Sequence, residues 1–166
     1  MATELVTERL VLGPWRDDDV TAYAEMVRER DPRGTPAPFG SNPTDEQLLE
    51  RIDAQRRSSA ETGIGLFAVR IDGEFVGYCG LIIGRGSLDE PEIAYELLRA
   101  HHGKGYATEA GRAVVQAAAE TGRRRLWATV RTWNEASLRV LDKLGFGTDR
   151  LATDDFGELL WLTRAL

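Results

Sequence analysis

The chain is poor in cysteine: Cys79 stands alone among 166 residues, so no intrachain disulfide can form and a reducing, cytoplasmic setting is expected. It lacks any apolar run of about 18 residues, the length a membrane-spanning helix needs, so no membrane association is expected. Its opening residues, Met1-Ala2-Thr3-Glu4, have neither the basic nor the apolar region of a secretory leader. Histidine is scarce too. The two present, His101 and His102, are adjacent, and no Cys/His/Asp cluster has zinc-ligand spacing, so no metal is expected. Positive charge is outnumbered, 21 Lys and Arg against 27 Asp and Glu, giving a net charge of −6. That balance argues against a nucleic-acid partner and suits a cationic one such as an amine. Cys79 itself sits in a strand-like run with no histidine near it in sequence, which reads as a packed thiol rather than a nucleophile.

What remains is an ordinary globule, 42% hydrophobic and 29% charged. Its length fits one domain over residues 1–166, able to bury roughly 70% of its unfolded surface. There is no repeat, low-complexity tract or interdomain linker. Four of the six prolines fall between Arg30 and Pro43, which marks a loop. A plain connector and a substrate-gating segment are both open readings of it.

The pattern centres on His102-Gly103-Lys104-Gly105-Tyr106-Ala107-Thr108. Before it, Glu92 to Leu98 reads as a strand. After it, Ala107, Ala110, Val114, Val115 and Ala118 recur at helical spacing. A strand, a two-glycine turn and a helix start expose free N–H groups at the positive end of a helix dipole, a seat for phosphate or pyrophosphate. A tight connection using glycine for its backbone freedom is the plainer alternative. Neither G-x-x-x-x-G-K-[ST] nor G-x-G-x-x-G fits, since position 108 is Thr, so nucleoside triphosphates and dinucleotides are disfavoured.

The other elements follow from local signals. Glu8 to Leu12 reads as a strand ended by Gly13-Pro14, and Asp17, Asp18 or Asp19 can cap a helix with Val20, Tyr23, Ala24 and Val27 on one stripe. Thr44 to Gln47 has capping-box form, opening a helix to about Arg57. Phe67, Val69 and Ile71 alternate, Asp72-Gly73 supplies a type I′ turn, and Phe75 to Leu81 returns. Leu126 to Val130 is a further strand. Arg123-Arg124-Arg125 before it suits a helix C-terminus and could also attract a nucleotide phosphate. Asn134 starts a helix that Gly145 stops, and two strands flank Asp154 to Gly157. The order β-α-α-β-β-β-α-β-α-β-β predicts an α+β fold with a mixed, mostly antiparallel sheet of about seven strands and about four helices.

The central loop, read as His102-x-x-Gly105-x-Ala107, resembles the acyl-CoA loop of the GNAT superfamily of N-acetyltransferases, although His102 stands where Gln or Arg is usual. Gly103 to Ala110 looks like the branch that includes the ribosomal-protein N-terminal acetyltransferases. Asn134-Glu135-Ala136-Ser137 through Lys143-Leu144-Gly145-Phe146 is similar to a second family signature. Thr7 to Leu12 is also typical of that branch, with Gly13 in place of a frequent Arg, and the element order matches the family fold.

The resemblance implies acetyl-CoA as co-substrate, with His102, Gly103, Lys104, Gly105, Tyr106, Ala107 and Thr108 at its pyrophosphate. Backbone of Glu96, Leu97 and Leu98 would pair with the pantetheine arm where two strands splay, and a backbone N–H there could polarise the thioester carbonyl. Asn134 would contact the pantetheine; a plain helix N-cap is its other reading. Ser137, one turn on, would give a proton to the departing sulfur, as a serine there does in the branch it resembles; Leu141 occupies the position where many relatives carry Tyr, which leaves Ser137 or water as the acid. Glu92 aligns with a general base of some members and could equally be a solvated strand carboxylate. The acceptor implied is a primary amine, a protein N-terminus or a small molecule, and a homodimer is compatible with the family. A CoA-binding, non-catalytic module is the alternative function.

Overall fold

The computed structural model describes residues 1–34 and 40–166; the expected loop from Arg30 to Pro43 falls partly on residues 35–39, outside the described residues. Its strands are β1 (Leu5–Val6), β2 (Val11–Gly13), β3 (Leu66–Ile71), β4 (Glu74–Ile82), β5 (Glu92–Leu97), β6 (Arg125–Arg131), β7 (Gly147–Asp154) and β8 (Gly157–Ala165). Its helices are α1 (Val20–Arg28), α2 (Asp45–Thr62), α3 (Tyr106–Glu120) and α4 (Glu135–Lys143). The strands form one sheet in the order β1-β2-β3-β4-β5-β6-β8-β7, antiparallel throughout except where β5 meets β6. Among the described residues this is the expected α+β architecture with one more strand than the pattern predicts.

The extra strand arises at the amino-terminal end, where two short strands stand in place of one. Glu8 to Leu12 was expected as one strand, but Thr7 to Leu10 is a turn, with Thr7 N–H donating to the Leu10 carbonyl at 2.9 Å, and strand pairing resumes only at Val11. Alternation within the segment cannot reveal that Arg9 is drawn away toward α3. The other element limits shift by a few residues. Helix α2 keeps its capping box, Thr44 and Gln47 exchanging side-chain and backbone bonds, but runs past Arg57 to Thr62, where Gly63 ends it at φ 70°. The Asp72-Gly73 turn has positive φ at both residues, 51° and 87°, as type I′ requires. Asp19 is placed before α1, yet its carboxylate turns inward to pair with Arg70 at 2.6 Å instead of capping the helix.

Each face of the sheet carries its own core. Ala110, Val114, Val115 and Ala118 of α3 and Leu141 of α4 pack on one face with Ile93, Leu97 and Val130. On the other face Tyr23, Met26 and Val27 of α1 and Leu48 and Ile52 of α2 pack with Trp15 and Phe75. Cys79 is fully buried in the first core, and burial pushes its thiol up to about 12, so it remains an inert thiol. Among the described residues no helix is long and apolar enough to cross a membrane.

Candidate active site

Helix α3 begins under the two-glycine turn. Gly103 and Gly105 have φ of 74° and 84°, left-handed values that a side chain resists. The first helical bond is Glu109 N–H to the Gly105 carbonyl at 3.0 Å, so the N–H groups of Tyr106, Ala107 and Thr108 precede the ladder and have no helical acceptor. They lie at the positive end of a 15-residue helix. A Cβ at Gly103 would meet nothing within 4 Å, which leaves the backbone open to a close anion. The expected loop therefore fits a pyrophosphate. His102 contributes shape: its N–H goes to the Arg99 carbonyl, and its Nε2 lies 2.8 Å from the Leu97 carbonyl. A carbonyl only accepts, so Nε2 carries the proton. Lys104 Nζ donates to the Ala100 carbonyl, across the same turn.

The amino-terminal turn holds this loop from outside. Glu109 Oε1 accepts from Thr7 Oγ1 at 2.6 Å and from Arg9 N–H at 2.9 Å, while Oε2 accepts from Arg9 Nε at 2.7 Å. Arg9 Nη1 reaches the Lys104 carbonyl at 3.0 Å, and its guanidinium lies 4.6 Å above the Tyr106 ring. Desolvation raises the Glu109 carboxyl, but the bonds from Thr7 and Arg9 outweigh it and hold the group below its ordinary range.

Strand β5 leaves its neighbour almost at once. Its ladder with β6 has one registered pair, Glu92 with Trp127, and Trp127 N–H bonds to the Pro91 carbonyl. Beyond that point the strands part. Antiparallel pairing sends a residue's N–H and C=O to the same side, alternating along the strand. Leu98 N–H bonds to Val76 of the β4 side, so the backbone groups of Glu96 and Leu98 face β4 and those of Tyr95 and Leu97 face the gap. Of the three residues expected to offer backbone here, Leu97 is the one so turned. Tyr95 is a gap-facing residue that the sequence reading did not single out.

A cavity of about 300 Å³ opens at this gap and reaches both faces of the sheet. On the α4 side it is lined by Asn134, Ser137, Leu141 and Tyr95; on the α1 side by Glu92, Arg85 and Trp133. The Asn134 side chain accepts from Ser137 N–H at 3.1 Å, so it caps α4 through Oδ1, and its amide donors remain to serve a ligand. Leu141, at the position where many relatives carry Tyr, is buried in the core. A phenol is present all the same. The Tyr95 hydroxyl lies 2.8 Å from Ser137 Oγ and 3.1 Å from the Ser137 carbonyl. Strand parity places Tyr95 opposite Glu92 and Glu96, but nothing local pairs it with a helix 42 residues away.

Glu92 is not a solvated carboxylate; it is 4% exposed. Its Oε1 accepts from Arg85 N–H and its Oε2 from Thr129 Oγ1 at 2.9 Å, so it ties the β4–β5 turn to β6 at the vertex of the gap. Both partners are neutral groups, and among the described residues no cation lies within salt-bridge distance of it. The neighbouring carboxylates differ. Asp154 pairs with Arg131 at 2.7 Å and Arg85 at 3.1 Å, and the Arg131 hydrogen bond holds it below its ordinary range. Glu96 pairs with Arg30 at 2.6 Å and accepts from the Tyr78 hydroxyl at 2.8 Å.

Comparison with known proteins points one way. The family model of the acetyltransferase (GNAT) domain matches residues 9–147. The chain is 40% identical over 94 residues, 55% of its length and 51% of that protein, to the "Probable N-acetyltransferase YjcK" of Bacillus subtilis (strain 168). Its fold is similar to that of Mycobacterium smegmatis RimJ in complex with CoA-disulfide, with a TM-score of 0.81, 23% identity and coverage of 94% of this chain and 81% of that one. RimL, a ribosomal L7/L12 alpha-N-protein acetyltransferase solved with coenzyme A, superposes with a TM-score of 0.84 at 15% identity over 97% of this chain and 96% of that one.

Proposed function

The chain belongs to the GNAT family of acetyltransferases and is an acetyl-CoA-dependent N-acetyltransferase, and from that premise we propose that its acceptor is an α-amine received at Glu92. The observation that carries the reading is the buried Glu92 carboxylate, which lines the cavity with neutral partners only. Buried charges are ordinarily paired. An incoming ammonium supplies the missing cation, and the same carboxylate then takes its proton, freeing the lone pair that attacks.

Acetyl-CoA supplies the activated acetyl thioester. The turn from Gly103 to Thr108 offers backbone N–H groups to its pyrophosphate, and Asn134 offers amide donors to the pantetheine arm at the cavity. The gap-facing N–H groups of Tyr95 and Leu97 are the donors available to a carbonyl oxygen that gains charge during transfer. Ser137 gives its hydroxyl proton to the departing sulfur; Glu92 releases the amine's proton to solvent, and Ser137 regains one from it.

The α-amine is preferred to a lysine for a physical reason. Near neutrality roughly a tenth of an α-amine is already unprotonated, against a few in ten thousand for a lysine. The name of the RimL neighbour makes a protein N-terminus the first acceptor to try. The lone buried cysteine supports a cytoplasmic setting. The test is initial rates with acetyl-CoA across peptides with free N-termini, peptides with only lysine amines, and small amines. Turnover confined to lysine side chains would overturn the α-amine assignment.

A further inference from the structure

We infer that Tyr95 is the positioning residue for the reaction's acid: its phenol, donated to Ser137 Oγ, leaves the Ser137 hydroxyl proton free to point into the cavity. This inference rests on the role given above to Ser137. The geometry is a matter of proton counting. The Tyr95 hydroxyl has one proton and two acceptors in reach, Ser137 Oγ at 2.8 Å and the Ser137 carbonyl at 3.1 Å. If that proton goes to the carbonyl, Ser137 Oγ–H must fill the short contact by donating to the phenol oxygen, and the serine has no proton left for a ligand. If it goes to Oγ, the serine's own proton is displaced from the contact and turns to the open side. The open side is the cavity, which both residues line. The contact to Oγ is the shorter of the two, at the usual length for O–H···O.

Two further observations favour the productive arrangement. Ser137 cannot be turned away by its helix, because the Asn134 side chain fixes the Ser137 N–H and with it the first turn of α4. Burial also pushes the Tyr95 phenol above its ordinary range, so it keeps its proton across the whole working pH range. Tyr95 therefore orients without transferring. The bonds that change are Ser137 O–H, which breaks, and sulfur–hydrogen, which forms; the Tyr95 O–H stays intact and stabilises the serine oxygen as it loses its proton. The phenol that many relatives carry one turn further along α4, where Leu141 stands here, comes instead from β5, and acts on the serine rather than on the sulfur.

The experiment compares wild type with Tyr95→Phe, Ser137→Ala and the double variant. Phenylalanine retains the ring and its packing, and melting temperatures confirm folded protein. Tyr95→Phe is expected to lower kcat about ten-fold, the effect of one oriented hydrogen bond, with the Kd for acetyl-CoA unchanged within about two-fold. The double variant should be no slower than Ser137→Ala, because the phenol has nothing left to orient. A second readout needs no turnover: the thiol of bound CoA, titrated by the ultraviolet absorbance of its thiolate, should ionise at higher pH in Tyr95→Phe than in wild type, since an aimed Ser137 hydroxyl stabilises the thiolate. Multiplying losses in the double variant, or an unchanged thiol titration, would overturn the inference. If Ser137→Ala alone leaves kcat intact, the acid assignment fails as well; if Ser137→Ala is slow and Tyr95→Phe is not, only the role of Tyr95 fails.

Discussion

At the scale of single residues, Ser137 and Glu92 make opposite demands on an experiment. Ser137→Ala removes a hydroxyl whose backbone already caps the helix through Asn134, so the fold should survive. Its kcat should drop about a hundred-fold, within the span of general acid catalysis, while acetyl-CoA affinity measured by calorimetry stays nearly unchanged. An equal loss of affinity would make Ser137 a cofactor-positioning group. Glu92→Gln is a less clean replacement. The carboxylate accepts from Arg85 N–H with one oxygen and Thr129 with the other, and an amide can accept with only one of its two ends. That substitution should cost roughly 1–3 kcal/mol of stability, read as a lower melting temperature. Its catalytic defect should be largest at low pH, where little amine is free, and should shrink as the pH rises. A defect in kcat/KM of constant size from about pH 6 to about pH 9 would remove Glu92 as the base.

At the scale of elements, the loop before α3 depends on a clamp from the other end of the chain. Thr7 and Arg9 meet at Glu109, and Arg9 also holds the Lys104 carbonyl. Because Glu109 is held below its ordinary pKa in the folded protein, its stabilisation is fully present above the ordinary carboxylate value of about 4.3 and is lost as pH falls through the depressed one. The melting temperatures of wild type and Glu109→Gln should therefore differ near neutrality and converge in acid. A gap of constant size from neutrality down to the acid limit of folding would show that the clamp does not act through the charge of Glu109. Gly105→Asp should weaken CoA binding at least about ten-fold, since it adds a carboxylate at the anion site and a side chain at φ 84°. Unchanged binding by calorimetry would displace the pyrophosphate from this turn. Gly77 is constrained by neighbouring backbone: a Cβ there would lie 2.2 Å from the Glu96 carbonyl oxygen and 2.7 Å from Leu97 Cα. Gly77→Ala should cost about 3 kcal/mol and move β5 at the gap, lowering melting temperature and acetyl-CoA affinity together.

At the scale of the whole molecule, a net charge of −6 biases encounter with cationic acceptors. The kcat/KM for a cationic N-terminal peptide should fall as salt is raised toward about 0.5 M, while that for a neutral-sequence peptide changes little, because screening acts on long-range attraction and not on the buried contacts of the cavity. Equal salt dependence for both peptides would show that net charge has no part in selection.

Local signals in the sequence determined most of the elements, because those rest on spacing or turn chemistry that is complete within a few residues. The capping box at Thr44, the Asp72-Gly73 turn and the apolar stripe of α3 were legible for that reason. The two-glycine turn was legible too, since strand, glycines and helix start are contiguous. Tertiary structure alone decided what meets at the gap. Glu92 looked the same in sequence whether solvated or buried, and only its packing between the β4–β5 turn and β6 makes it a buried carboxylate with neutral partners. Tyr95 reaches Ser137, and Thr7 and Arg9 reach Glu109 across about a hundred residues, because the sheet brings those segments together. Hydrogen bonds of that range depend on the register and twist of the whole sheet, and no periodicity within either partner encodes them.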